Sequence, residues 1–257
     1  MNIRVTLVSC CALAAVTVSC SRQPGAAEAS SYVPADTVLL GELDLNRIRA
    51  APLYSKLPPA VLSLLDPLRP ASDLMLASNG KDLLLIARGE FRKAPAGMTL
   101  AAPGIALAGS EQAIRTAIGQ HKTRQNGGAI LMARASAIAA SKPIWVIAQG
   151  GIALPLSGNA ENLNQFLRRV DYAVVAAALN STLESTASGV CRTPDAAREL
   201  EENLRGLLTL ASAAAVKEPD IRALLEGVHV ERQGQTVRAS LSVPPEQVDK
   251  LLLLVAP

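Results

Sequence analysis

Two strand-like runs, Asp73 to Ser78 and Lys81 to Arg88, are separated by Asn79-Gly80, and this dipeptide constrains the chain more than any other local feature. Asn-Gly supplies the positive φ values of a type I′ turn, so the two runs are expected to pair as a β-hairpin. Two further pairs follow: Tyr172 to Leu179 with Leu183 to Cys191 across Asn180-Ser181-Thr182, and Val228 to Arg232 with Thr236 to Val243 around Gln233-Gly234-Gln235. A hairpin needs no crossover helix, so strands joined this way run antiparallel.

Single helices are expected between the strand groups. Thr37 to Leu45 reads as a strand leading into helical pieces over Arg47 to Leu68, broken at Pro58-Pro59. Met98 to Leu107 reads as two short strands interrupted at Pro103-Gly104. Ser110 caps a helix whose apolar face is Ala113, Ile114, Ala117 and Ile118, with His121 and Lys122 in the last turn, where positive charge suits the dipole. Ile130 to Ala140 continues as helix, Ile144 to Ala148 as a buried strand with the single Trp, and Asn159 to Arg169 as a short helix. Thr193-Pro194 opens a long helix with the stripe Ala197, Leu200, Leu204, Leu207, Leu208 and Ala211. After Pro244-Pro245, Glu246 to Val255 reads as a terminal helix in which Leu253 and Leu254 widen the apolar arc beyond one stripe, so they are expected to pack under a second element of the same chain, first of all the long helix from Pro194, with an exposed partner-binding patch as the alternative.

This order predicts an α+β chain of antiparallel sheets covered by helices. Hydrophobic residues make up 49% of the 257 residues and charged ones 18%, enough apolar side chain for a sizeable core and too little charge for a disordered chain. Beyond residue 20 no apolar run approaches the roughly 20 residues of a spanning helix; Leu83 to Ala87 and Leu251 to Val255 are the densest. Basic and acidic side chains number 25 and 22, and aromatics are 2%. Small basic clusters (Arg88, Arg92 and Lys93; His121, Lys122 and Arg124) are not interleaved with aromatics, so no nucleic-acid partner is expected.

The first residues are an address. Arg4 precedes the apolar run Val5 to Val18, and the run closes on Val16-Thr17-Val18-Ser19-Cys20, a signal-peptide pattern too short to span comfortably. The closing residues resemble the lipobox of bacterial lipoprotein precursors, with Thr17 where Leu is usual. The resemblance implies that residues 1–19 are cleaved and that Cys20 carries lipid, anchoring the chain to a membrane. With Ser21 rather than Asp after Cys20, the expected location is the cell envelope, on the outer membrane facing the periplasm where a cell has two. Cys10 and Cys11 leave with the signal and Cys20 is acylated, so Cys191 alone remains and no intramolecular disulfide is expected.

Residues 20–32 read as the lipidated Cys and a flexible tether of small and polar residues, residues 33–155 as one α+β domain and residues 156–257 as a second, divided near Gly150-Gly151, Pro155 and Gly158. The opening Val33-Pro34-Ala35-Asp36-Thr37, Gly41-Glu42-Leu43-Asp44-Leu45, Arg47-Ile48-Arg49 and Pro52-Leu53-Tyr54, with Asn79-Gly80-Lys81-Asp82 and Gly189-Val190-Cys191-Arg192-Thr193-Pro194, resembles uncharacterised bacterial envelope lipoproteins built from duplicated ferredoxin-like α+β units. That resemblance implies two similar halves and a location; it carries no activity.

No pattern of catalytic residues emerges. Gly-x-Ser-x-Gly is absent, Ser110 is explained as a cap, and His121 and His229 are the only histidines, both expected at the surface. Two isolated histidines and one free thiol give no metal-ligand spacing, and neither Asn126-Gly127-Gly128 nor Gly150-Gly151 continues into a phosphate-cradling loop, so no cofactor is expected. Glu42 and Asp44 lie two apart on one strand and point to one face, expected to be the face opposite inward-pointing Leu39, Gly41, Leu43 and Leu45. Cys191 is expected to pack inward. The expected function is a membrane-anchored envelope lipoprotein acting as a non-enzymatic interaction or structural module, with an envelope protein as a possible partner. The alternatives are a periplasmic carrier of an apolar ligand, or an enzyme whose site draws on scattered residues such as Glu42, Asp44 and His121.

Overall fold

The computed structural model describes residues 28–57, 59–123, 127–139, 141–152 and 163–248. The expected signal peptide, Cys20, most of the tether, the boundary at 155–156 and the leucines of the terminal helix fall outside the described residues.

The chain is α+β. Its elements run β1 (Leu39–Asp44), α1 (Leu45–Ala50), α2 (Pro59–Leu65), β2 (Ala71–Ser78), β3 (Leu83–Gly89), β4 (Thr99–Ala102), β5 (Ile105–Gly109), α3 (Glu111–Thr123), α4 (Ala129–Ala139), β6 (Ile144–Gln149), α5 (Leu163–Leu167), β7 (Val170–Leu179), β8 (Leu183–Cys191), α6 (Pro194–Ala214), α7 (Pro219–Glu226), β9 (His229–Gln233) and β10 (Thr236–Val243). The described strands form one ten-stranded sheet in the order β4-β5-β3-β2-β1-β6-β7-β8-β10-β9, antiparallel throughout. The two expected halves do not appear as separate sheets, because β6 and β7 pair from Ile144 opposite Ala177 to Gln149 opposite Tyr172.

On the front face of β1, β2, β3, β5 and β6, Leu40, Met75, Ile86, Leu107, Trp145 and Ile147 form a core closed by Ala113 and Ala117 of α3 and Leu131 and Ala135 of α4. The back face carries two further cores. One joins Leu45 and Ile48 of α1 to Leu74, Ala87, Leu179, Leu224, Val243 and Val248; the other joins Ala148, Val170, Cys191 and Val237 to Ala197 and Leu200 of α6. In β8, β9 and β10 the buried residues, Cys191, Val230, Val237 and Val243, all belong to the back face by register. Among the described residues no helix covers their front face, with Thr186, Ser188, Arg238 and Ser240, as an antiparallel sheet permits.

Local chemistry explains the caps. Thr193 Oγ1 accepts from Ala196 N at 3.1 Å with Pro194 in the first turn of α6, and Ser110 Oγ accepts from Ala113 N at 3.1 Å ahead of α3, so both expected N-caps are in place.

Several expectations need correcting. Ser78 pairs with Leu83, so the first hairpin turns through four residues, 79–82; Asn79 Oδ1 accepts from both Lys81 N and Asp82 N, and Gly80 takes φ +89°. The side chain of Asn79 builds the turn that its backbone was expected to build. The two-residue turn is at Gly234-Gln235, where Gln233 pairs with Thr236 and Gly234 has φ +60°. Leu207 and Ala211 of the expected α6 stripe are exposed, because the helix settles on the sheet through Ala197 and Leu200. α7 was not foreseen: Pro219 starts it and only Leu224 is deeply buried, too short a run for periodicity to declare. Finally, the tether ends earlier than residue 32, since Ala29, Tyr32 and Val33 are buried in the front core.

Candidate functional site

The front face gathers the polar residues that alternation singled out. Glu42 lies between Met75 of β2 and Trp145 of β6 in the cross-strand register. Both neighbours are nearly inaccessible. Asp44 is opposite Asp73, which is opposite Arg88, so three carboxylates and one guanidinium share this end of the face. The expectation that Glu42 and Asp44 point away from the core fails because both faces of β1 are covered: Leu40 on their own side and Gly41 on the other are both buried.

Burial is the main reason that the Glu42 carboxyl titrates above its ordinary value, with Asp73 and Asp44 pushing the same way; Arg88 and the indole N–H of Trp145, which donates to Glu42, pull it back. Arg88 forms an ion pair with Asp73, both side chains largely shielded. Asp44 is also engaged, its Oδ1 capping α1 through Arg47 N at 2.9 Å. Glu42 is thus a half-buried carboxyl whose surroundings disfavour its charged form.

Residues 28–33 cross the same face as a strap. Ser31 Oγ donates to Glu28 O at 2.5 Å and lies 2.7 Å from His121 Nδ1. With its one hydrogen committed to the carbonyl, the hydroxyl accepts from an Nδ1–H tautomer of His121. The imidazole therefore acts as a donor and does not activate Ser31. The Tyr32 ring stacks on His121 at 4.2 Å with planes 3° apart, and burial, then Glu28, raises its phenol above the ordinary value. Glu28 itself lies on the rim of a surface cleft of about 400 Å³ with Arg49, Arg69, Arg88 and Glu90.

The candidates named from sequence are therefore brought together only in part. Glu42 and Asp44 share a face, His121 is engaged with the strap, and His229 is exposed on β9 opposite Ser240. Cys191 is 2% exposed, and burial raises its thiol above the ordinary value, which disfavours the reactive thiolate form. Among the described residues no cluster of three or more His, Cys, Asp or Glu is placed to hold a metal ion, and no helix is long and apolar enough to cross a membrane. Sequence reasoning missed Asp73, Arg88, Ser31 and Tyr32. Asp73 begins the run before Asn79-Gly80 and its register against β1 followed only from the sheet order; Tyr32 adjoins the strong apolar signal of Val33 and was assigned to the tether.

No family model matches the chain, and no curated protein matches it. Among solved structures it is similar to TP0453 in crystal form III, with a TM-score of 0.52 at 8% identity over 88% of this chain and 97% of that one. Crystal form I of TP0453 gives 0.51 at 9% identity over 88% and 97%. At such identity the likeness concerns the fold alone.

Proposed function

We propose that the protein is a lipid-anchored component of the cell envelope, attached through Cys20, that works by contact with an envelope partner and not by catalysis. The observation that carries this reading is Val16-Thr17-Val18-Ser19-Cys20 at the end of an apolar leader. The strap supports it: residues 28–33 lie on the body, so a lipid on Cys20 is within about 26–29 Å of Glu28, the most that eight links can span. Two or three acyl chains, each buried methylene worth about 0.8 kcal/mol, make such an attachment stable. The open front face of β8, β10 and β9, bearing Thr186, Ser188, Arg238, Ser240, His229 and Glu231, is the broad polar surface available for contact.

Metabolic labelling with a palmitate analogue tests the reading. The intact precursor is expected to incorporate label and to partition with membranes, and Cys20→Ala to lose both. Equal labelling of the two overturns the proposal.

A further inference from the structure

Three guanidinium groups line one open cleft, beside the start of β2 and the end of β3. Arg49 comes from the last turn of α1, Arg69 from the turn before β2 and Arg88 from β3, and Glu28 of the strap and Glu90 line the same cleft of about 400 Å³. Hydrogen bonds tie its walls together. Arg49 donates from Nη1 to Ala71 O at 2.7 Å and from Nη2 to Leu68 O at 2.8 Å, so it grips the segment that carries Arg69 on both sides. Glu90 N donates to Pro70 O at 3.0 Å, and Gly89 N to Gly104 O at 3.0 Å. A Cβ on Gly89 would lie 2.1 Å from Pro70 O, so only glycine lets the end of β3 come this close to Pro70. The charged side chains are therefore carried on a fixed frame, which lowers the ordering cost of holding a ligand.

The charges differ in how they are satisfied. Arg88 is paired with Asp73, and Arg69 with Asp66 at 2.9 Å, an exposed pair of little strength. Arg49 is half-buried, its hydrogen bonds go to neutral carbonyls, and among the described residues it makes no ion pair. A guanidinium has more N–H donors than these two bonds use, so Arg49 keeps donors and a full charge for an anion. Glu28 and Glu90 are exposed and, among the described residues, are in no ion pair. A bare anion would meet two carboxylates here and a bare cation three guanidiniums. A ligand that carries both charges suits both. Phosphate is the better match for the anionic end: a carboxylate is planar and one guanidinium fork occupies it, whereas a phosphate offers oxygens to guanidiniums that arrive from several elements.

We propose that this cleft binds a phosphoethanolamine-type zwitterion, its phosphate held by Arg49 with Arg69 and Arg88, and its ammonium by Glu28 and Glu90. The same chemistry is carried by a free phosphomonoester and, as a phosphodiester, by a lipid headgroup. The cleft does not depend on attachment through Cys20, and neither does its test.

Isothermal titration of the full chain is the test. O-phosphoethanolamine or glycerophosphoethanolamine is expected to bind about tenfold tighter than inorganic phosphate, ethanolamine or β-alanine, because only the first two engage both sets of charges with a phosphate. Tighter binding of the monoester assigns the ligand to a free phosphomonoester, and tighter binding of the diester to a lipid headgroup; either supports the proposal. Equal affinity for inorganic phosphate or for β-alanine, or no saturable binding of any of them, overturns it. Arg49→Gln is expected to weaken the zwitterion about tenfold. Because that change also loosens the segment from Leu68 to Ala71, Glu90→Gln supplies an independent reading: its backbone N–H still bonds Pro70 O, and its melt should match the parent. Its preference for the zwitterion over inorganic phosphate should fall below about threefold. An unchanged preference in both Glu90→Gln and Glu28→Gln overturns the proposal.

Discussion

The strands β2, β3 and β6 are buried on both faces, whereas β8, β10 and β9 are buried on one, and this difference can be followed down to the residue pattern. Leu-Leu-Leu-Ile-Ala in β3 and Ile-Trp-Val-Ile-Ala in β6 are continuous apolar runs. Leu-Glu-Ser-Thr-Ala-Ser-Gly-Val-Cys in β8 and Thr-Val-Arg-Ala-Ser-Leu-Ser-Val in β10 place polar residues on the front face. A strand between two helical layers is apolar along most of its length, with its charged residues paired as Asp73 and Arg88 are, and a strand with one solvated face is apolar at alternate positions. One sheet thus holds a doubly covered region rooted in the strap and a singly covered region that presents a polar surface.

The comparison predicts unequal costs for core truncation. Trp145→Ala removes the largest fully buried side chain of the front core together with the donor to Glu42, and is expected to cost about 3–5 kcal/mol in a denaturant melt. Val237→Ala, on the covered face of β10, is a smaller truncation and is expected to cost about 1–2.5 kcal/mol. Equal losses would break the distinction between the two regions.

Glu42 sharpens it through pH. Its carboxyl titrates above the ordinary value because burial disfavours the charged form, so between the unfolded and folded values the native state holds the extra proton. Stability attributable to Glu42 is therefore highest below its ordinary value and falls as pH rises through the window between the two. Glu42→Gln keeps the acceptor for Trp145 and removes the charge. Urea melts from pH 4 to pH 8 should show a weaker loss of stability with rising pH in the variant; an unchanged profile would mean that the carboxylate is solvated after all.

The strap comes next in size. His121→Ala removes the stacking partner of Tyr32 and the donor to Ser31, each about 1 kcal/mol or less. Amide exchange at residues 29–33 should accelerate while exchange in β7 stays as it was. Acceleration throughout the sheet would show that the strap is integral to the whole fold and not a separable cover.

How far the architecture was legible follows from the same physics. Hairpins at Asn79-Gly80 and Gly234, the Thr193 and Ser110 caps and the antiparallel class were readable because they depend on residues close in sequence. The surroundings of Glu42 were not, since alternation says that Glu42 and Asp44 share a face and is silent on what covers it. Cover depends on Tyr32, α3 and α4, distant in sequence. The single sheet was equally hidden: Gly150-Gly151 and Pro155 look like a boundary, yet β6 and β7 pair across it, because their ladder groups need partners wherever the intervening loop runs.

The smallest effect is expected on the open face, where Ser240 lies opposite both Thr186 and His229 and no helix among the described residues covers it. Ser240→Val adds a β-branched side chain that suits a strand, and it loses no hydroxyl bond recorded in the structure. The gain in strand preference and the cost of exposing a few methyl groups are both fractions of a kcal/mol. Stability should stay within about 0.5 kcal/mol of the parent in a thermal or urea melt. A loss above about 2 kcal/mol would mean that the front of β10 is covered in the folded chain, by a segment outside the described residues or by a partner. An unchanged melt combined with weaker recovery of an envelope partner in cross-linking would instead assign the polar face to that contact, because a substitution without effect on folding reports directly on what meets the surface.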